Sequence, residues 1–159
     1  MRLALDLGLR SGEIANLNLD DVDWQAGTLI LRGTKSQRQD VVPLPEQTGK
    51  ALADYVEHER SAIRHPAIFV RQIAGRTTPI TSCAVQKVIK CACRRIGLPD
   101  VSAHALRHTV ACRLVERGSS LKEVADLLRH RSLNSTLIYA KLDTPKLAAV
   151  ALPWPGSSE

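Results

Sequence analysis

Aromatic side chains are scarce in this chain: Phe, Trp and Tyr make up 3% of its 159 residues, with only two tyrosines. That excludes a core of stacked rings, so Leu, Val, Ile and Ala must supply the buried surface, and each tyrosine becomes conspicuous. Long apolar runs are missing as well. The opening "MRLALDLGLRSGE" has a short apolar run that Asp6 interrupts, too short for a secretory signal or a membrane span. A cytoplasmic location with no membrane partner is expected. The cysteines Cys83, Cys91, Cys93 and Cys112 form no C-x-x-C pair, and Cys91 and Cys93 would point to different sides of a helix. Free, mostly buried thiols are therefore expected in place of a zinc site or a disulfide framework. No internal repeat and no dividing linker stand out, so the chain reads as one globular unit.

What is present fits an ordinary folded domain, with 44% hydrophobic and 24% charged residues. The formal charge of +6 favours a polyanionic partner, nucleic acid first. Apolar positions from Leu3 to Leu17 predict a helix interrupted near Gly8 and resuming around Ser11. Turn residues then frame a strand near Val22 to Trp24, a strand over Thr28 to Arg32 and a strand ending at Pro43, a small antiparallel sheet with Lys35 at a hairpin tip. Pro45 and Glu46 open a helix to about Ala62, followed by an irregular link with an extended piece at Ile68 to Val70. Thr81 or Ser82 caps a helix through Ile96, ended by Gly97 and Pro99. A helix from about Ala103 to Arg117 stops at Gly118, Ser120 and Glu123 are spaced as a capping box for a helix to about Arg129, and a last helix carries Tyr139. The tail "LPWPGSSE" reads as loose.

The candidate chemistry lies in a few short motifs. "HALRH" places His104, Arg107 and His108 at a helix start, with His104 and Arg107 spaced to share a face beside a dipole that favours anions. His104 and His108 alone make a poor zinc pair, because Ala105 stands where H-E-x-x-H has glutamate. "GLRSGE" puts Arg10 and Glu13 on one turn, spaced for an ion pair, and "LLRHRSLNSTLIYAK" brings His130 nine residues before Tyr139. Each motif singly has a structural explanation. Together they suit attack of an oxygen nucleophile on a phosphodiester. Charge grows on the non-bridging oxygens, and arginine forks match two of them. A tyrosine ionising near about pH 10 needs cationic surroundings or a base, and a lysine can protonate the leaving oxygen.

The ordered series "GLRSGE", hairpin lysine, "HALRH", "LLRH" and "LIYAK" resembles the catalytic domain of the tyrosine recombinase, or phage integrase, family from Leu3 to about Lys141. The resemblance implies an α+β, mainly α-helical fold, the DNA breaking-rejoining catalytic core, with a small antiparallel three-stranded sheet near the N-terminus. It implies that Tyr139 attacks the phosphodiester to leave a 3′-phosphotyrosyl link. Arg10 and Arg107 would be the two arginines that stabilise the phosphate, His104 and His130 the two histidines, with His130 adding a hydrogen bond to the phosphate, Lys35 the general acid, and Glu13 would orient Arg10 or neighbouring groups. No metal or cofactor is expected. Residues 1–152 would be the catalytic domain, without the helical core-binding domain that usually precedes it, and 153–159 a flexible tail. Double-stranded DNA is the implied partner, with a tetramer on two duplexes exchanging C-terminal segments. The family often has glycine where this chain has Arg129. Strand passage as in type IB topoisomerases and a non-catalytic or truncated DNA-binding module are the alternatives, the latter because "SSLKEVADLLRHRSLNSTLIYAKL" also reads as a helix-turn-helix.

Overall fold

The computed structural model describes residues 1–32, 39–60 and 63–129. Lys35, His130, Tyr139 and the expected last helix lie outside the described residues. The chain divides into two compact parts, Met1–Val110 and Ala111–Glu159.

The first part opens with α1 (Arg2–Asp6) and α2 (Ser11–Ala15). Between them Gly8 takes φ +58°, a left-handed conformation that glycine adopts without a Cβ clash. The buried side chains of Leu3, Leu7, Leu9, Ile14 and Leu17 anchor this segment in the core. Strands β1 (Val22–Asp23), β2 (Thr28–Arg32) and β3 (Gln39–Pro43) form the expected antiparallel sheet in the order β1-β2-β3. Leu29 pairs with Val22 on one side and Val42 on the other, so the apolar positions share the core face. Pro43, which lacks a ladder donor, closes an edge strand, where its loss is tolerated. The buried Asp21 carboxylate accepts from the Asn18 backbone N–H at 2.8 Å and from Arg32 Nε at 2.6 Å, which ties the end of β2 to the turn before β1.

Helix α3 (Glu46–Asp54) is shorter than its pattern suggests: a wider helical turn follows over Tyr55–Glu59 and ends there, with Arg60 as its cap. Arg60 explains the stop. It is 4% exposed, and its guanidinium collects the carbonyls of Ile63, His65 and Ala67, bonds that need the chain to fold back. Ala67 then bridges to Asn18, and Ile68 N donates to Leu17 O at 2.8 Å. Tyr55 is half-buried against Phe69, ring centroids 5.3 Å apart, which makes it a packing residue.

The link after Ile68 is not irregular, as expected, but contains an antiparallel hairpin, β4 (Val70–Ile73) and β5 (Arg76–Pro79), turned by Ala74 and Gly75 at φ +48° and +76°. Helix α4 (Ser82–Arg95) starts as expected, with Thr81 Oγ1 accepting from Ala84 N, and buries Val85, Ile89 and Cys93. Cys83 and Cys91 are exposed on α4, which corrects the expectation of mostly buried thiols, while all four cysteines are free. Helix α5 (Ala103–Glu116) runs from the first part into the second. The second part continues with α6 (Leu121–Leu127), entered through the expected box, where Ser120 Oγ accepts from Glu123 N and Glu123 accepts from Ser120 N at 2.7 Å. Its buried residues include Ala111, Val115, Val124, Ala125 and Leu128. Among the described residues no helix is long and apolar enough to cross a membrane.

Candidate active site

The segment between α1 and α2 places the first arginine. Leu7 and Leu9 are buried, so Arg10, next in the chain and extended at φ −71° and ψ 150°, turns its side chain outward. Glu13, one turn into α2, grips it twice: one carboxylate oxygen accepts from the Arg10 backbone N–H at 2.8 Å and the other from Nη1 at 2.7 Å. An (i, i+3) pair on an exposed helix end adds little stability. Its consequence is geometric, because it restricts a long side chain to a narrow set of directions.

Arg107 reaches the same segment from α5. It is 4% exposed, and its Nη1 donates to the Gly8 carbonyl at 2.6 Å, two residues before Arg10. A Cβ-bearing residue at φ +58° would be strained at the position whose carbonyl Arg107 uses. His104 and His108 are both exposed, so His104 and Arg107, although three apart, differ in environment: one faces solvent and the other is enclosed. The first-turn amides of α5 are also partly engaged, since Ala105 N donates to Ser102 Oγ at 3.1 Å and Ala103 N to Gln86 Oε1 at 3.0 Å. An anion here would be met chiefly by guanidinium groups, with the helix dipole in support.

Gln86 is the residue that sequence reasoning passed over. From the middle of α4 its Oε1 accepts from Ala103, the first residue of α5, and its Nε2 lies 3.4 Å from Ser11 Oγ, the first residue of α2. A glutamine inside "AVQKVIK" carries no recognisable signal. Only the folded arrangement shows what it joins.

Titration shifts elsewhere follow simple causes. The Arg94 guanidinium bonds Asp100 at 2.6 and 2.7 Å and holds its carboxyl below the ordinary range. Burial pushes the Cys112 thiol up. Hydrogen bonds from the Ser120 backbone and hydroxyl hold Glu123 down.

The fold has solved counterparts among tyrosine recombinases. The crystal structure of XerA recombinase matches with a TM-score of 0.77 at 24% identity, over 95% of this chain and 57% of that one. That of XerH site-specific recombinase bound to palindromic difH substrate, a post-cleavage complex, matches with a TM-score of 0.74 at 26% identity, over 92% and 42%. The chain belongs to the phage integrase family, whose model matches residues 1–145. It is 39% identical to the integrase/recombinase named y4rF of Sinorhizobium fredii, over 95% of this chain and 36% of that protein. To tyrosine recombinase XerA of Pyrococcus horikoshii it is 31% identical, over 88% and 48%. The chain thus spans less than half the length of both of these relatives.

Proposed function

We propose that residues 1–152 form the catalytic domain of a site-specific DNA recombinase or integrase that breaks and rejoins strands through Tyr139. The observation that carries this reading is the bond from buried Arg107 to the Gly8 carbonyl, which gathers the second arginine at the segment that presents Arg10. In the reaction, the Tyr139 oxygen gives its proton to His104 as it attacks phosphorus, and a bond from Tyr139 to phosphorus forms. The bond from phosphorus to the 5′ oxygen breaks, and Lys35 protonates that leaving oxygen to give a 5′ hydroxyl. Arg10 and Arg107 stabilise the charge that grows on the non-bridging oxygens, assisted by His104 and His130, while Glu13 orients Arg10. A 5′ hydroxyl attacking the phosphotyrosine reverses the step and rejoins a strand. Double-stranded DNA is the substrate, with a tetramer as the working assembly.

The test is a nicked duplex that loses a short fragment on cleavage, incubated with the chain in EDTA and run on a denaturing gel. A covalent protein–DNA band that disappears in Tyr139→Phe is expected. A chain that binds the duplex and gives no band, or a band that survives Tyr139→Phe, overturns the reading. A band that forms in a parallel reaction without EDTA and is missing with it would return the chemistry to a metal.

A further inference from the structure

We infer that Gln86 is a positioning residue that holds Arg10 and Arg107 in one phosphate-binding arrangement; the inference rests on the recombinase reading for the identity of the anion, not for the geometry. Three contacts form a closed circuit. Gln86 Oε1 accepts from Ala103 N at 3.0 Å, Gln86 Nε2 donates to Ser11 Oγ at 3.4 Å, and Arg107 Nη1 donates to Gly8 O at 2.6 Å. Along the chain, Ala103 lies one helical turn before Arg107, and Ser11 adjoins Arg10, two residues past Gly8. One amide on α4 therefore fixes the start of α5, which carries Arg107, and the start of α2, which Arg10 caps, and the arginine from α5 closes the loop back onto the segment before α2.

The two contacts require a planar group that accepts from Ala103 N–H and meets the Ser11 hydroxyl, which can itself donate or accept; glutamine does so without adding a charge. Its orientation is not ambiguous: the Ala103 N–H can only donate, so the atom facing it must be Oε1, which leaves Nε2 toward Ser11. Buried Val85 and Ile89 flank Gln86 on α4 and keep the helix from rolling, so the amide acts from a fixed base. Packing alone needs none of this, since an apolar side chain of the same length would fill the half-buried space. Misplacing a charge-stabilising group by about 1 Å lowers a rate by roughly 100-fold, which makes fixing two guanidinium groups together consequential.

The test compares Gln86→Met, which keeps length and helix preference but removes both hydrogen bonds, with Gln86→Glu, which still accepts from Ala103 N–H and from the Ser11 hydroxyl. Two readouts are taken on the folded chain: the arginine side-chain NMR resonances without DNA, and the rate of covalent complex formation on the nicked duplex beside its binding affinity. In Gln86→Met the Arg107 side-chain signals are expected to shift and broaden, and cleavage to slow by roughly 10- to 100-fold with affinity changed less than about threefold. Gln86→Glu is expected to restore the Arg107 signals. Unchanged Arg107 signals in Gln86→Met overturn the inference, as does a cleavage loss matched by an equal loss of binding. If the unmodified chain forms no covalent complex, the recombinase reading falls and the resonances alone decide the positioning role. Should Gln86→Met fail to fold, Ser11→Ala, which opens the circuit at one contact, is expected to shift the same signals, and no shift there overturns the inference.

Discussion

Arg107 is a buried cation whose guanidinium already serves a backbone carbonyl, and that double duty sets what a substitution does. Lysine at this position keeps the charge, but its single ammonium cannot hold the Gly8 carbonyl and also present a planar fork to two phosphate oxygens. Arg107→Lys is therefore expected to lower the cleavage rate by about 100-fold or more while leaving a folded protein, measured as covalent complex formed per unit time on the nicked duplex. Arg107→Ala should in addition destabilise the fold by about 1–3 kcal/mol, because the carbonyl of buried Gly8 loses this donor. Arg129 shows a different kind of strain. It stands at φ +51° just past α6, in the left-handed region where its Cβ is crowded and which glycine adopts freely. Arg129→Gly removes that crowding at the cost of the bond from Arg129 Nη1 to Leu127 O. A rise of about 1 kcal/mol in thermal or denaturant stability is expected, and a loss would mean that the arginine contacts outweigh the backbone strain.

Among the elements, α6 offers the clearest pH response. Hydrogen bonds from Ser120 hold the Glu123 carboxyl below its ordinary value, so the folded chain binds this proton less readily than the unfolded one. The cap's contribution is complete above the unfolded carboxylate range, near about pH 4.3, and is lost as pH falls through the depressed value. Melting temperatures of the chain and of Glu123→Gln should therefore differ at pH 6 and converge toward pH 3; a gap constant over that range would show that the charge of Glu123 contributes nothing. This box, the three-stranded sheet and the ends of α4 and α5 were all legible in the sequence, because glycine, proline and capping hydroxyls act over a few residues. Gly97 and Gly118 take the positive φ that ends α4 and α5, and Gly27 takes it in the turn that leads into β2. The β4–β5 hairpin was not legible, for a physical reason: none of its eight strand residues is buried, so no apolar alternation marks it, and Ala-Gly is a weaker turn signal than Asn-Gly. The site divides in the same way. The arginines announce themselves through short motifs, whereas Gln86 acts through two residues far away in the chain, and the end of α3 depends on carbonyls that Arg60 meets only after the chain has turned.

For the molecule as a whole, the excess of six positive charges is the property that a polyanion senses before any motif does. Each phosphate neutralised on binding releases condensed counterions, so affinity falls linearly in logarithmic salt with a slope of roughly 0.9 per phosphate on duplex DNA. A surface that engages about five phosphates should lose roughly 10²- to 10³-fold in affinity between 50 and 200 mM salt. Fluorescence anisotropy on a labelled duplex of about 25 base pairs, repeated across that range, reads the slope directly. The same slope is expected for Tyr139→Phe, because the substitution removes the proposed nucleophile and no charge. Equal slopes with covalent complex lost only in Tyr139→Phe would separate electrostatic capture from chemistry. A binding constant unmoved by salt would instead remove nucleic acid as the partner, and with it the reason for two arginines to meet at one turn of the chain.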